Sequence, residues 1–191
     1  REFKCSIALN PGDATPHHWY ALTLASLGRF DEAKREARLA VAADPLSQVS
    51  LQDLAELYLE VGDFTAAEAE ARAVTELAPQ YAGGWITLGM AQLLQHRNDS
   101  ALAAIRRGIA IEQPEPPAGD LAMLGYALGV SGQRDSALAI RRQLQAMSKH
   151  PSFTPICAGV YVVAFSQALT SYPKPFQPGG SVSLLNLHVA D

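Results

Sequence analysis

Three prolines set the frame of this chain. Pro11, Pro45 and Pro79 stand 34 residues apart, as do Ala33, Ala67 and Ala101; Gly28 and Gly62 differ by the same interval, with His96 in the next equivalent place. Three unrelated residue types keeping one period mark a tandem array of supersecondary units. Within one period, His17 to Pro45 reads HHWYALTLASLGRFDEAKREARLAVAADP: an apolar helix, a Gly turn, a second apolar helix and a Pro stop. Gly132 and Ala137 continue the pattern, with Ala137 lying 36 residues beyond Ala101. The two extra residues fall in Gln113 to Gly119, QPEPPAG, where three prolines rule out a helix interior. Lengthening a connection costs little loop entropy, so the frame survives.

Each recurring residue has a physical task. A small Ala or Gly where two helices cross lets their backbones approach closely, at the short end of the usual interaxial range. Gly at the turn accepts the left-handed conformation that closes the first helix. Pro ends the second helix and redirects the chain. Asp31, Asp63 and Asp99 follow the turns and suit the start of each second helix, by capping or by the dipole. One hairpin buries too little apolar surface alone, so neighbours must stack. The expected fold is therefore all-α, an α-solenoid of antiparallel hairpins.

Composition agrees. At 48% hydrophobic and 18% charged residues the chain has the makings of a packed core rather than a disordered segment. β-Branched residues are sparse until the last fifth. Up to Ala78 there are seven Lys/Arg against thirteen Asp/Glu, and from Pro79 onward eight against six. The acidic first half argues against a nucleic-acid surface, which needs a concentrated basic face. Cys5 and Cys157 form no metal-type pair and no disulfide framework, which points to a reducing compartment. The longest apolar run, Ile156 to Phe165, is about half of the ~20 residues that a membrane helix requires. We expect a cytoplasmic protein, or a periplasmic one if a membrane helix lies upstream.

The period and residue pattern resemble the tetratricopeptide repeat. Trp85, Leu88 and Gly89 occupy the W-x-x-L-G places of a first helix, Leu54, Ala55 and Tyr58 hold matching places one repeat earlier, and Leu124 with Gly125 holds them in a later one. Ala33, Ala67, Ala101 and Ala137 match the small residue of the second helix. The frame divides the chain into a second helix of a truncated repeat at 1–11, repeats at 14–47, 48–81, 82–115 and 118–150, a capping helix at 151–171 and a Pro/Gly-rich tail at 172–191. The run from Ala14 to Ser47 is similar to repeats of bacterial regulators, where they follow a winged-helix, kinase or cyclase domain. That resemblance implies a fragment of a longer regulatory protein, whose effector domain precedes Arg1.

No catalytic constellation is apparent. His17 and His18 are adjacent, so on a helix they point about 100° apart and cannot ligate one metal together; useful spacing is i, i+4. His17 takes a packing place, His18 the inner face, His96 a turn and His150 a helix end. Gly83-Gly84 precedes a helix without the Lys of a phosphate loop. Arg106-Arg107 and Arg141-Arg142 fall on second helices, the outer layer, as solubilising surface. Cofactors and metals are not expected.

The expected function is non-enzymatic: a scaffold that holds a peptide or partner helix in the groove lined by first helices. By repeat position the lining comprises His18 and Leu22 in the first repeat, Gln52, Glu56 and Leu59 in the second, Ile86, Met90 and Leu93 in the third, and Tyr126 in the fourth. Repeats that clamp a C-terminal carboxylate carry Lys, Arg and Asn there. This chain carries Leu, Gln, Glu and Met, so carboxylate capture is not expected, whereas Glu56 and Glu60 favour a basic segment. The alternative is self-association of a regulatory tail.

Overall fold

A computed structural model of the chain describes residues 2–147. Along them run α1 (Glu2–Leu9), α2 (Ala14–Ser26), α3 (Phe30–Ala43), α4 (Gln48–Glu60), α5 (Phe64–Leu77), α6 (Ala82–Leu94), α7 (Asn98–Ile111), α8 (Ala118–Val130) and α9 (Arg134–Met147), with no strand among the described residues. The expected capping helix and tail, together with His150 and Cys157, lie outside the described residues. The chain forms two compact units, one running to Thr87 and the other starting at Leu88, so the boundary falls within α6.

Four turns between paired helices are built alike. Gly28, Gly62 and Gly132 have φ of +71°, +80° and +76°, and His96 takes the same left-handed conformation at +62°. The next residue in each turn donates its N–H five residues back: Arg29 to the Leu24 carbonyl, Asp63 to Tyr58, Arg97 to Gln92 and Gln133 to Leu128, each at 2.9 Å. This bond closes the first helix, and it requires the left-handed residue before it. Helix starts differ more. The Asp63 carboxylate accepts from the N–H of Ala66 at 3.1 Å and caps α5. Asp31 and Asp99 lie two positions past the caps Arg29 and Arg97, where they act on the helix dipole without a capping bond. Asp13 and Ser47 cap α2 and α4.

In the first unit α1 packs on α2, α2 on α3, α3 on α4 and α4 on α5, while α2 also touches α4 directly. Ala33, Ala55 and Ala67 are fully enclosed, as expected of residues at close helix crossings. His17 is 4% exposed. Its Nε2 lies 3.2 Å from the Pro11 carbonyl oxygen and its Nδ1 2.7 Å from a Glu36 carboxylate oxygen. Two repeats later Trp85 donates its indole N–H to the Pro79 carbonyl at 2.9 Å, across the same six-residue interval. His17 thus does in the first repeat what the signature tryptophan does in the third, tying a first helix to the proline carbonyl that precedes it.

In the second unit α7 packs on α8 and α8 on α9. Gly89 of α6 lies so close to α7 that a Cβ there would stand 2.9 Å from the Ala101 carbonyl oxygen. Ala101, Ile105 and Ala137 are fully enclosed. At the insertion, Glu112 and Asp120 flank QPEPPAG and face each other: burial and its partner push Glu112 up to about 7, and burial pushes Asp120 up as well.

Candidate functional site

The first helices of the first unit come together on one face. His18 of α2 approaches Asp53 of α4, with Nδ1 3.3 Å from Oδ2. Glu56, one turn along α4, accepts from the amide N–H of Gln52 at 2.7 Å and from the hydroxyl of Thr87, on α6, at 3.4 Å. Gln52 reaches that position by lying across Gly83, where any Cβ would collide with its side-chain amide. Leu22 and Leu59 are part-exposed beside these polar groups, and Val49 is 44% exposed on α4. The indole of Trp19, 53% exposed, stands edge-on to His18 with ring centroids 5.1 Å apart.

Charge on this face is unbalanced. Asp53, Glu56 and Glu60 fall at i, i+3 and i+7 of α4, which puts them on one stripe. Burial, then the neighbouring Glu56, pushes the Asp53 carboxyl up to about 7. The same two causes raise Glu60, and burial followed by Asp53 and Glu56 raises the Tyr81 phenol. Burial lowers His18. The 3.3 Å contact between His18 and Asp53 thus joins two groups whose charged forms burial disfavours. No Lys or Arg contributes to the shifts of Asp53 or Glu60.

The nine residues expected to line a groove divide by exposure. Glu56 is exposed; His18, Leu22, Gln52, Leu59 and Tyr126 are part-exposed. Ile86, Met90 and Leu93 are buried, at 7%, 8% and 3% exposure. The apolar run of α6 is thus packed away, and within the first unit the accessible lining residues belong to α2 and α4. Sequence reading missed Asp53 because the residue stands one position past the usual lining place. Its spacing to Glu56 and Glu60 was the available signal. Among the described residues no group of three or more His, Cys, Asp or Glu is placed to hold a metal ion. No helix among them is long and apolar enough to cross a membrane.

Comparison with known proteins gives a consistent picture. The tetratricopeptide repeat family matches residues 14–45 and 50–81. TTC0263, a thermophilic TPR protein of Thermus thermophilus, superposes with a TM-score of 0.72 at 22% identity, covering 88% of this chain and 87% of that one. YrrB, a TPR protein with an unusual peptide-binding site, gives 0.60 at 16% identity over 92% and 87% of the two chains. The first TPR of Spaghetti (RPAP3), bound to an HSP90 peptide, gives 0.57 at 18% identity over 63% and 92%. At these identities the likeness is one of fold. No curated protein matches the chain in sequence. Residues 14–45 and 50–81 match the tetratricopeptide repeat, and the chain that carries them has an all-α helical-repeat fold similar to that of TPR proteins.

Proposed function

We propose that this chain is a non-enzymatic protein-interaction scaffold, and that the first-helix face of its first unit is where a peptide or partner helix docks. One observation carries the reading: α2, α4 and the start of α6 contribute polar groups to a single face, through His18 to Asp53 at 3.3 Å and Thr87 to Glu56 at 3.4 Å, with part-exposed Leu22 and Leu59 beside them. A face that combines accessible apolar side chains with a few convergent polar groups suits an extended or helical ligand. Tetratricopeptide proteins bind peptide and protein partners, and two of the structural neighbours are described with a peptide-binding site or a bound peptide. The similarity of residues 14–47 to repeats of bacterial regulators leads us to place this face in a larger regulatory protein. Met90, Leu93 and Tyr126 occupy equivalent places in the second unit, where Met90 and Leu93 are buried.

Selection of peptides from a displayed library against the full chain tests the reading, followed by affinities for Leu22→Asp and Leu59→Asp. Both residues are part-exposed, so both variants keep their helical content by circular dichroism. A carboxylate placed in the apolar part of the face weakens selected peptides by at least tenfold. Undiminished affinity in both variants would move the binding surface elsewhere.

A further inference from the structure

The stripe on α4 specifies the chemistry of the occupant, given the docking face argued above. We propose that the first unit receives a basic peptide segment whose cations seat along Asp53, Glu56 and Glu60, and that its binding releases protons from that stripe. Charge complementarity selects this partner. Up to Ala78 the chain carries thirteen acidic against seven basic side chains, and three of the acidic ones lie together on the accessible face of α4. From Asp53 to Glu60 a helix rises about 10 Å, which spans roughly three residues of an extended peptide or two turns of a partner helix. Two or three Lys or Arg side chains at such spacing meet all three carboxylates. Leu22 and Leu59 offer contact for the intervening apolar residues, and the exposed indole of Trp19 offers a face on which a guanidinium can stack.

Proton release follows from what faces the stripe. Among the described residues the titratable groups there include His18 from α2, Asp53, Glu56 and Glu60 from α4, and Tyr81 from the connection before α6; α6 itself adds the neutral hydroxyl of Thr87. Burial and Glu56, with no Lys or Arg among the causes, set the shifts of Asp53 and Glu60. Without a ligand these carboxyls retain protons to unusually high pH, Asp53 to about 7. A bound cation favours the ionised form and drives the proton off. Affinity therefore rises with pH through neutrality, whereas binding that depends on hydrophobic contact alone stays flat.

Calorimetry on the full chain with three blocked nine-residue probes tests this, the probes alternating Leu with Lys, with Gln or with Glu. The Lys probe binds at least tenfold tighter than the Gln probe, and the Glu probe binds weakest. Proton linkage through a group titrating near 7 makes the Lys probe about tenfold tighter at pH 8 than at pH 6. Asp53→Asn and Glu60→Gln each weaken it severalfold, and Asp53→Asn flattens the pH dependence. Glu76→Gln, on the exposed side of α5, removes one charge elsewhere in the same unit and leaves affinity unchanged. Equal weakening by Glu76→Gln would reduce the effect to overall charge and overturn the proposal. Equal binding of the Lys and Gln probes, both weakened by Leu22→Gln, would keep the docking face and reject the basic occupant. Binding of none of the probes would overturn both.

Discussion

Replacing Gly89 by alanine sets helix propensity against packing, and the structure decides the sign. Gly89 lies in the interior of α6 with no positive φ, so alanine gains about 0.5–1 kcal/mol of intrinsic helix preference there. Against this, the added Cβ would collide with the Ile105 side chain and stand 2.9 Å from the Ala101 carbonyl oxygen and 3.1 Å from the Ile105 nitrogen. The last two are backbone atoms of α7 and cannot rotate aside. Ala101 and Ile105 are both 0% exposed, so α7 has no slack in which to withdraw. Overpacking costs about 1–3 kcal/mol, toward the upper end when backbone is the obstacle. The net expectation is a loss of about 1–2 kcal/mol. Gly83→Ala is the internal control, because its Cβ would meet only the side-chain amide of Gln52, which can swing away, and its effect stays within about 0.5 kcal/mol. Urea titrations of the full chain followed by circular dichroism read both, as midpoint shifts at constant slope. A Gly89→Ala protein as stable as the parent, or more so, would refute the claim that α6 and α7 are in backbone contact at this point.

Three further outcomes follow from other parts of the fold. His17→Ala removes the link to Pro11 and leaves the half-buried Glu36 carboxylate without its nearest partner, so it destabilises by about 2 kcal/mol in thermal or urea unfolding. His96→Gly, the only exchange here expected to stabilise at all pH values, relieves a non-glycine residue at φ +62° and raises stability by about 0.5–1 kcal/mol, read as a higher melting midpoint. Asp53 has its pKa raised to about 7 from 3.8, so the folded state holds its proton more tightly than the unfolded one and stability falls as pH rises from about 4 to 7. Asp53→Asn removes that loss, making the variant more stable than the parent at pH 8 by about 1–2 kcal/mol after allowance for partial exposure, with the gap closing toward pH 4 in unfolding curves taken across that range.

The architecture was legible because repeat stacking forces the same residue into the same physical problem once per period. Pro11, Pro45 and Pro79 end helices, Gly28 and Gly62 take left-handed turns, and Ala33 and Ala67 sit at crossings, so each constraint is written several times. His96 shows why even a departure was readable: its place in the period assigned it the turn before its φ was known. The site was less legible, since repeat position names a face and not what covers it. Ile86, Met90 and Leu93 belong to the inner face by count, yet all three are buried. Asp53 is pushed up chiefly by the desolvation around it, and its contact with His18 comes from a helix one repeat earlier, neither of which spacing encodes. The partnership of His17 with Glu36 and Pro11 is likewise a tertiary fact. The second-helix acids split for a related reason: Asp63 falls on the cap itself, whereas Asp31 and Asp99 stand two residues inside it.

The central claim is that the first helices of residues 14–87 carry the ligand. Amide shift mapping of the isotopically labelled full chain, titrated with the Leu/Lys probe at pH 8, tests it most directly. The largest shifts are expected on His18, Leu22, Asp53, Glu56 and Leu59, with Arg72 and Glu76 on α5 unmoved. Shifts concentrated on α3 and α5, with α2 and α4 silent, would contradict it.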